Sequence, residues 1–228
     1  MKRPQNFIAA LAIAFALSQP SSLRAQERVA LATADSGVIY ADLYGKGERG
    51  VVLAHGGRFN KESWVEQAKT LADSGYRVLA LDFRGYGDSR GPGQENPLSA
   101  PLQLEVLAAI HFLKKGGAPR VAAIGGSMGG AAVANASQSG ELERFILLAP
   151  MAIEHPERMR GKKLFITAAN DTTASGKPRF IKIREQFEQT PEPKEWMIVN
   201  GSAHAQAMLQ SAEGEGIMRE ILRFLREQ

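Results

Sequence analysis

Three short runs, Val51-Val52-Leu53-Ala54, Val78-Leu79-Ala80-Leu81 and Val121-Ala122-Ala123-Ile124, carry no polar side chain on either alternating face. A strand with one wet face must alternate polar and apolar residues. Runs without alternation therefore belong to interior strands covered on both sides, as in a parallel sheet packed between helices. The rest of the chain fits that reading. It predicts strands over 29–33, 38–44, 51–55, 77–83, 121–125, 145–148, 163–168 and 195–199, alternating with helices over 61–74, 101–115, 128–139, 178–189 and 213–226. Gly75, Gly116-Gly117 and Gly140 stand where three of those helices should stop. The expected architecture is α/β: a mostly parallel central sheet of about eight strands flanked by helices.

The 228 residues, 44% of them apolar, suffice for one full-sized core, and we expect a single domain over 26–228. Residues 1–25 have the three parts of a secretion signal. Lys2 and Arg3 come first, an apolar run over 7–17 follows, and the segment closes on Leu23-Arg24-Ala25. That run is too short to span about 30 Å of hydrocarbon, so we expect a removable leader rather than a stable membrane anchor. The chain contains no cysteine, which excludes a lipobox, disulfides and thiolate metal sites. The formal charge of +4 is spread among acidic residues, and no zinc-finger spacing or massed basic run points to nucleic acid. Three glycosylation sequons begin at Asn135, Asn170 and Asn200. A glycan next to Asp171 would obstruct the site described below, so we expect a bacterial protein, periplasmic or secreted.

Gly125-Gly126-Ser127-Met128-Gly129 follows an apolar strand and precedes a helix. A sharp strand-to-helix turn lifts a serine hydroxyl clear of the sheet and aims the amides of the helix start at the reacting carbonyl. Ser127 is accordingly the candidate nucleophile, and the Met128 amide a candidate oxyanion donor. His204, in Asn200-Gly201-Ser202-Ala203-His204 after the last strand, is the candidate general base. His55 ends an interior strand, His111 lies within a helix and His155 in a short connection, so each fits that role less well. Asp171, just after the strand over 163–168, can orient the far nitrogen of His204, whereas Asp82 reads as part of a turn. The glycine turn His55-Gly56-Gly57-Arg58 offers the second oxyanion amide from Gly57, with Arg58 as the alternative. The Arg58 guanidinium is open to a second use, on an anionic substrate.

Taken in order, His55-Gly56-Gly57, Asp82-Phe83-Arg84-Gly85-Tyr86-Gly87-Asp88-Ser89, Gly125-Gly126-Ser127-Met128-Gly129 and the Asp171 and His204 pair resemble the α/β-hydrolase superfamily, from residue 38 to the C-terminus. Within it the chain is similar to small dienelactone-hydrolase-like and carboxylesterase-like members. Only residues 151–162 separate two strands where lidded members insert a cap, so we expect no substantial cap domain and an open site. Serine replaces the cysteine of dienelactone hydrolases and the aspartate of epoxide hydrolases and dehalogenases, which speaks against those activities. The resemblance implies a serine hydrolase acting on small or short-acyl carboxylic esters through an acyl-enzyme, without metal or organic cofactor. A peptidase, amidase or thioesterase with the same triad, or a non-catalytic ligand-binding relative, is the alternative.

Overall fold

The computed structural model describes residues 26–227; the candidate leader, residues 1–25, lies outside the described residues. The strands are β1 (Glu27–Ala32), β2 (Val38–Tyr44), β3 (Arg49–Ala54), β4 (Tyr76–Leu81), β5 (Arg120–Gly126), β6 (Arg144–Leu148), β7 (Lys162–Ala168) and β8 (Lys194–Val199). They form one eight-stranded sheet in the order β1-β2-β4-β3-β5-β6-β7-β8. β2 runs antiparallel to both β1 and β4, and all the other neighbours are parallel. The helices are α1 (Val65–Asp73), α2 (Gln103–Lys115), α3 (Met128–Ser137), α4 (Arg179–Gln189) and α5 (Gly214–Arg226). Among the described residues no helix is long and apolar enough to cross a membrane.

The three continuous apolar runs lie at the centre of the sheet, on β4, β3 and β5, with Val52, Leu53, Leu79 and Ile124 wholly enclosed. Each buried Val, Leu or Ile contributes about 1.5–3 kcal/mol relative to exposure, so these strands anchor the layer from which the loops of the site project. Between β6 and β7 the chain makes only one short 3-10 turn, Pro156–Arg158, and among the described residues no cap is inserted there.

Most element ends fall within two residues of the sequence expectation, and two of the differences have a clear physical reason. β4 stops at Leu81 rather than running to Phe83, because the Phe83 amide leaves the ladder and donates to the His55 ring at Nε2, 3.1 Å away. The helix expected over 61–74 is split into a 3-10 turn, Lys61–Trp64, followed by α1. The Lys61 amide there is held by the Asp82 carboxylate at 2.8 Å, and the Trp64 ring is fully buried. Asp82 thus ties the segment after β3 to the end of β4.

The segment over residues 85–98 is pinned from within by Arg84, whose side chain has no exposure. Arg84 Nε donates to Glu105 at 2.5 Å, and its Nη atoms donate to Asp35 and to the Pro92 carbonyl. A fully buried guanidinium needs partners on every side, since an uncompensated buried charge is strongly destabilising.

Candidate active site

Ser127 sits at the junction of β5 and α3 with φ 50° and ψ −110°. Few non-glycine residues hold such angles, and they persist only where the surroundings over-determine them. The surroundings do so here. The Ser127 amide donates to the Leu148 carbonyl at 2.9 Å, and its own carbonyl accepts from Met151 at 3.0 Å and Ala131 at 3.1 Å. The flanking glycines are required by contact: a Cβ on Gly125 would lie 2.3 Å from the Gly129 carbonyl oxygen, and one on Gly129 would lie 2.3 Å from that of Ala54. Side chains at either position would push the turn off the sheet.

His204 follows β8 and precedes a 3-10 turn, Ala205–Gln210. Its Nε2 lies 2.9 Å from Ser127 Oγ, and its Nδ1 lies 2.6 Å from Asp171 Oδ2. Asp171 carries no dissociable proton when ionised, so Nδ1 must donate to it and Nε2 is left to accept from the serine hydroxyl. Asp171 is 2% exposed. Its second oxygen, Oδ1, faces Arg179 Nε at 3.4 Å, and the Arg179 amide donates to the Asp171 carbonyl at 2.9 Å. The start of α4 therefore holds Asp171 from the side away from the histidine.

The other histidines are used elsewhere. His111 is exposed and bonds Glu141 at 2.9 Å, and His155 is exposed beside Glu157. His55 is fully buried, and burial pushes its pKa below the ordinary 6.5, which keeps the ring neutral. Accepting from Phe83 at Nε2, the ring donates from Nδ1 to the Gly56 carbonyl at 2.9 Å.

That bond bears on the loop opposite the serine. A trans peptide points its N–H opposite to its carbonyl, so fixing one fixes the other. The Gly56 carbonyl accepts from both His55 Nδ1 and the Phe59 amide at 2.9 Å, which sets the Gly57 N–H. The Gly57 carbonyl accepts from the Tyr86 hydroxyl at 2.8 Å, which sets the Arg58 N–H. The Gly56 amide donates to Gln206 Oε1 at 2.8 Å, and Gln206 Nε2 donates to Ser63 Oγ at 2.9 Å. Three successive peptide planes are thus held by three different parts of the chain. Among the described residues the Met128, Gly57 and Arg58 amides have no acceptor, the first because it opens a helix.

Ser127, His204, Gly57, Arg58, Tyr86, Leu98, Met151 and Arg179 line one cleft of about 600 Å³. Of the candidate residues, Ser127, His204, Gly57 and Arg58 line it, Asp171 stands behind His204, and Met128 follows Ser127 at the start of α3. Sequence reasoning missed Gln206, Tyr86 and Arg179. Tyr86 lay within a quoted motif without a role, and nothing local in the sequence marks Gln206 or Arg179.

The family model described as alpha/beta hydrolase fold matches residues 50–180, and the chain belongs to that family. The rat bifunctional epoxide hydrolase 2 is 36% identical over 110 residues, which is 48% of this chain and 17% of that protein's own length. A predicted CIB-like hydrolase from Thermoplasma acidophilum superposes with a TM-score of 0.70 at 22% identity, covering 89% of this chain and 99% of that one. The Pyrococcus furiosus esterase Pf2001 superposes with a TM-score of 0.73 at 18% identity, covering 89% of this chain and 92% of that one.

Proposed function

We propose that the chain is a serine hydrolase that cleaves small or short-acyl carboxylic esters. The observation that carries this reading is His204, bonded at one nitrogen to Ser127 Oγ at 2.9 Å and at the other to Asp171 at 2.6 Å. In the proposed reaction Nε2 takes the hydroxyl proton as Oγ attacks the ester carbonyl, and the Met128 and Gly57 amides receive the negative charge on its oxygen. Asp171 stabilises the imidazolium that forms. The imidazolium then gives its proton to the departing alcohol, leaving an acyl group on Ser127. Water, deprotonated by the same nitrogen, releases the acid. The route calls on neither a metal nor an organic cofactor.

Chemistry separates this reading from the epoxide opening named for the rat relative. A carboxylate that opens an epoxide forms an ester, which water can cleave. A serine that did so would form an ether, which the same machinery cannot release, so Ser127 favours acyl transfer. For location, we propose export to a bacterial periplasm or beyond, on the strength of residues 1–25 for export and of the sequon beside Asp171 for the bacterial setting; N-terminal sequencing of the full chain expressed in a bacterial host tests the export.

The decisive experiment is hydrolysis of p-nitrophenyl esters from acetyl to dodecanoyl, with Ser127→Ala alongside. Short-chain activity that falls at least 10³-fold in the variant is expected, given the loss of the nucleophile. Equal activity in the variant would overturn the assignment.

A further inference from the structure

Beside the cleft lies a second depression of about 520 Å³, whose lining combines Pro150, Met151, Ile181 and Ile183 with the charged Arg179 and Lys182. Met151, Thr173 and Arg179 line both, so the two spaces adjoin. Ile181 stands on α4 with 59% of its surface exposed. Of the four large hydrophobic residues exposed among the described residues, only Leu98 is as open, at 61%, and Leu98 lines the cleft itself. Apolar side chains left in water next to a reactive serine mark a surface shaped for an apolar part of the substrate.

Which part follows from the proton path, so the inference rests on the ester-hydrolase reading. The alcohol oxygen must lie against His204 Nε2 to receive its proton, whereas the carbonyl oxygen turns toward Met128 and Gly57. Arg179, which lines the depression, faces Asp171 Oδ1 at 3.4 Å and so links the depression to the side of the histidine's partner. Gly57, Arg58 and Tyr86 occupy another wall of the cleft. We propose that the Ile181 depression receives the alcohol moiety of the substrate, and that the natural substrates are short-acyl esters of alcohols with an extended apolar chain. The acyl part stays in the cleft near Tyr86 and Leu98.

The test compares kcat/KM for ethyl, butyl, hexyl and octyl acetate with that for p-nitrophenyl acetate, butanoate and octanoate, in the wild type and in Ile181→Asp. Along the alkyl acetates kcat/KM is expected to rise by up to about fourfold per methylene, until the depression is filled. The octyl-to-ethyl ratio should fall at least tenfold in Ile181→Asp. Ile198→Asp, on the outer strand β8 and 51% exposed, serves as the control and should keep the wild-type ratio. A loss confined to p-nitrophenyl octanoate would reverse the assignment of the depression to the acyl side and overturn the proposal. An unchanged ratio also overturns it, as does an Ile181→Asp effect limited to the sedimentation coefficient, which would mark the face as a contact between copies. Absence of any Ser127-dependent turnover, by contrast, would overturn the ester-hydrolase reading itself.

Discussion

Replacing Gln206 with leucine keeps the volume of a buried side chain while removing both of its hydrogen bonds. Gln206 is 1% exposed, and its amide closes the only link between the His204 loop and the Gly56 N–H that the described residues provide. The variant leaves that N–H buried without an acceptor, at about 1–3 kcal/mol, and frees the partly exposed Ser63 hydroxyl at under about 1 kcal/mol. We expect a stability loss of about 2–3 kcal/mol, read from the urea midpoint. The catalytic consequence is separate. With the His55–Gly56 peptide released, the next plane, which carries the Gly57 N–H, keeps its bonds from His55 and Phe59 but loses the restraint on its neighbour, and the complete loss of one oxyanion donor, the upper limit, reaches about 10²–10³ in kcat. A partial displacement should lower kcat about 10–100-fold with KM changed less than about threefold, because the donor acts on charge that develops only in the transition state. Affinity for an alkyl boronic acid, which presents a tetrahedral anion to Ser127, should fall in parallel with kcat. Assays below the variant's unfolding range separate the two effects. A Gln206→Leu enzyme with wild-type kcat, or one that loses KM rather than kcat, would refute the reasoning.

Three further outcomes follow from the geometry. Asp171→Asn should lower kcat about 10⁴-fold with little change in KM, since an amide at 2.6 Å from Nδ1 can favour the wrong histidine tautomer; a loss below tenfold in kcat would show that Asp171 does not orient His204. Arg84→Leu strands the Glu105 carboxyl, whose pKa burial already raises, and should destabilise by about 3–5 kcal/mol in urea, with Glu105→Leu in the same chain restoring part of it. His55 has a folded pKa depressed by burial, so as pH falls below about 6.5 the unfolded chain takes up a proton that the folded one refuses. Stability should therefore decline on that acid side by up to about 1.4 kcal/mol per pH unit, and His55→Gln should flatten the decline between pH 7 and 5; parallel curves would exclude His55 as the cause.

Much of the architecture was legible in the linear chain, because the signals are local. An apolar run without alternation has no stable place except inside a covered sheet, and Val51–Ala54, Val78–Leu81 and Val121–Ile124 are found there. The serine turn was legible for a similar reason: small residues at 125 and 129 are demanded by contacts at 2.3 Å that any such turn creates. His204 and Asp171 were placed by their position just after strands that end on the same edge of the sheet.

What the tertiary structure alone decided are contacts between segments far apart in sequence, which depend on how loops settle once the sheet exists. Gln206 reaches a glycine 150 residues earlier, and Tyr86 a carbonyl 29 residues earlier. Neither pairing leaves a periodic or compositional trace, because a single hydrogen bond constrains one atom rather than a pattern. Phe83 left its strand because the His55 nitrogen offered its amide a better-placed acceptor than the ladder did. Arg179 reads in sequence as part of the first turn of an ordinary helix, and only folding sets its guanidinium against Asp171. Likewise the depression at Ile181 exists only between α4 and the segment after β6. Periodicity and turn chemistry act between neighbours in the chain and can be read from it, whereas loop contacts are chosen among many of similar energy by the packing of the whole.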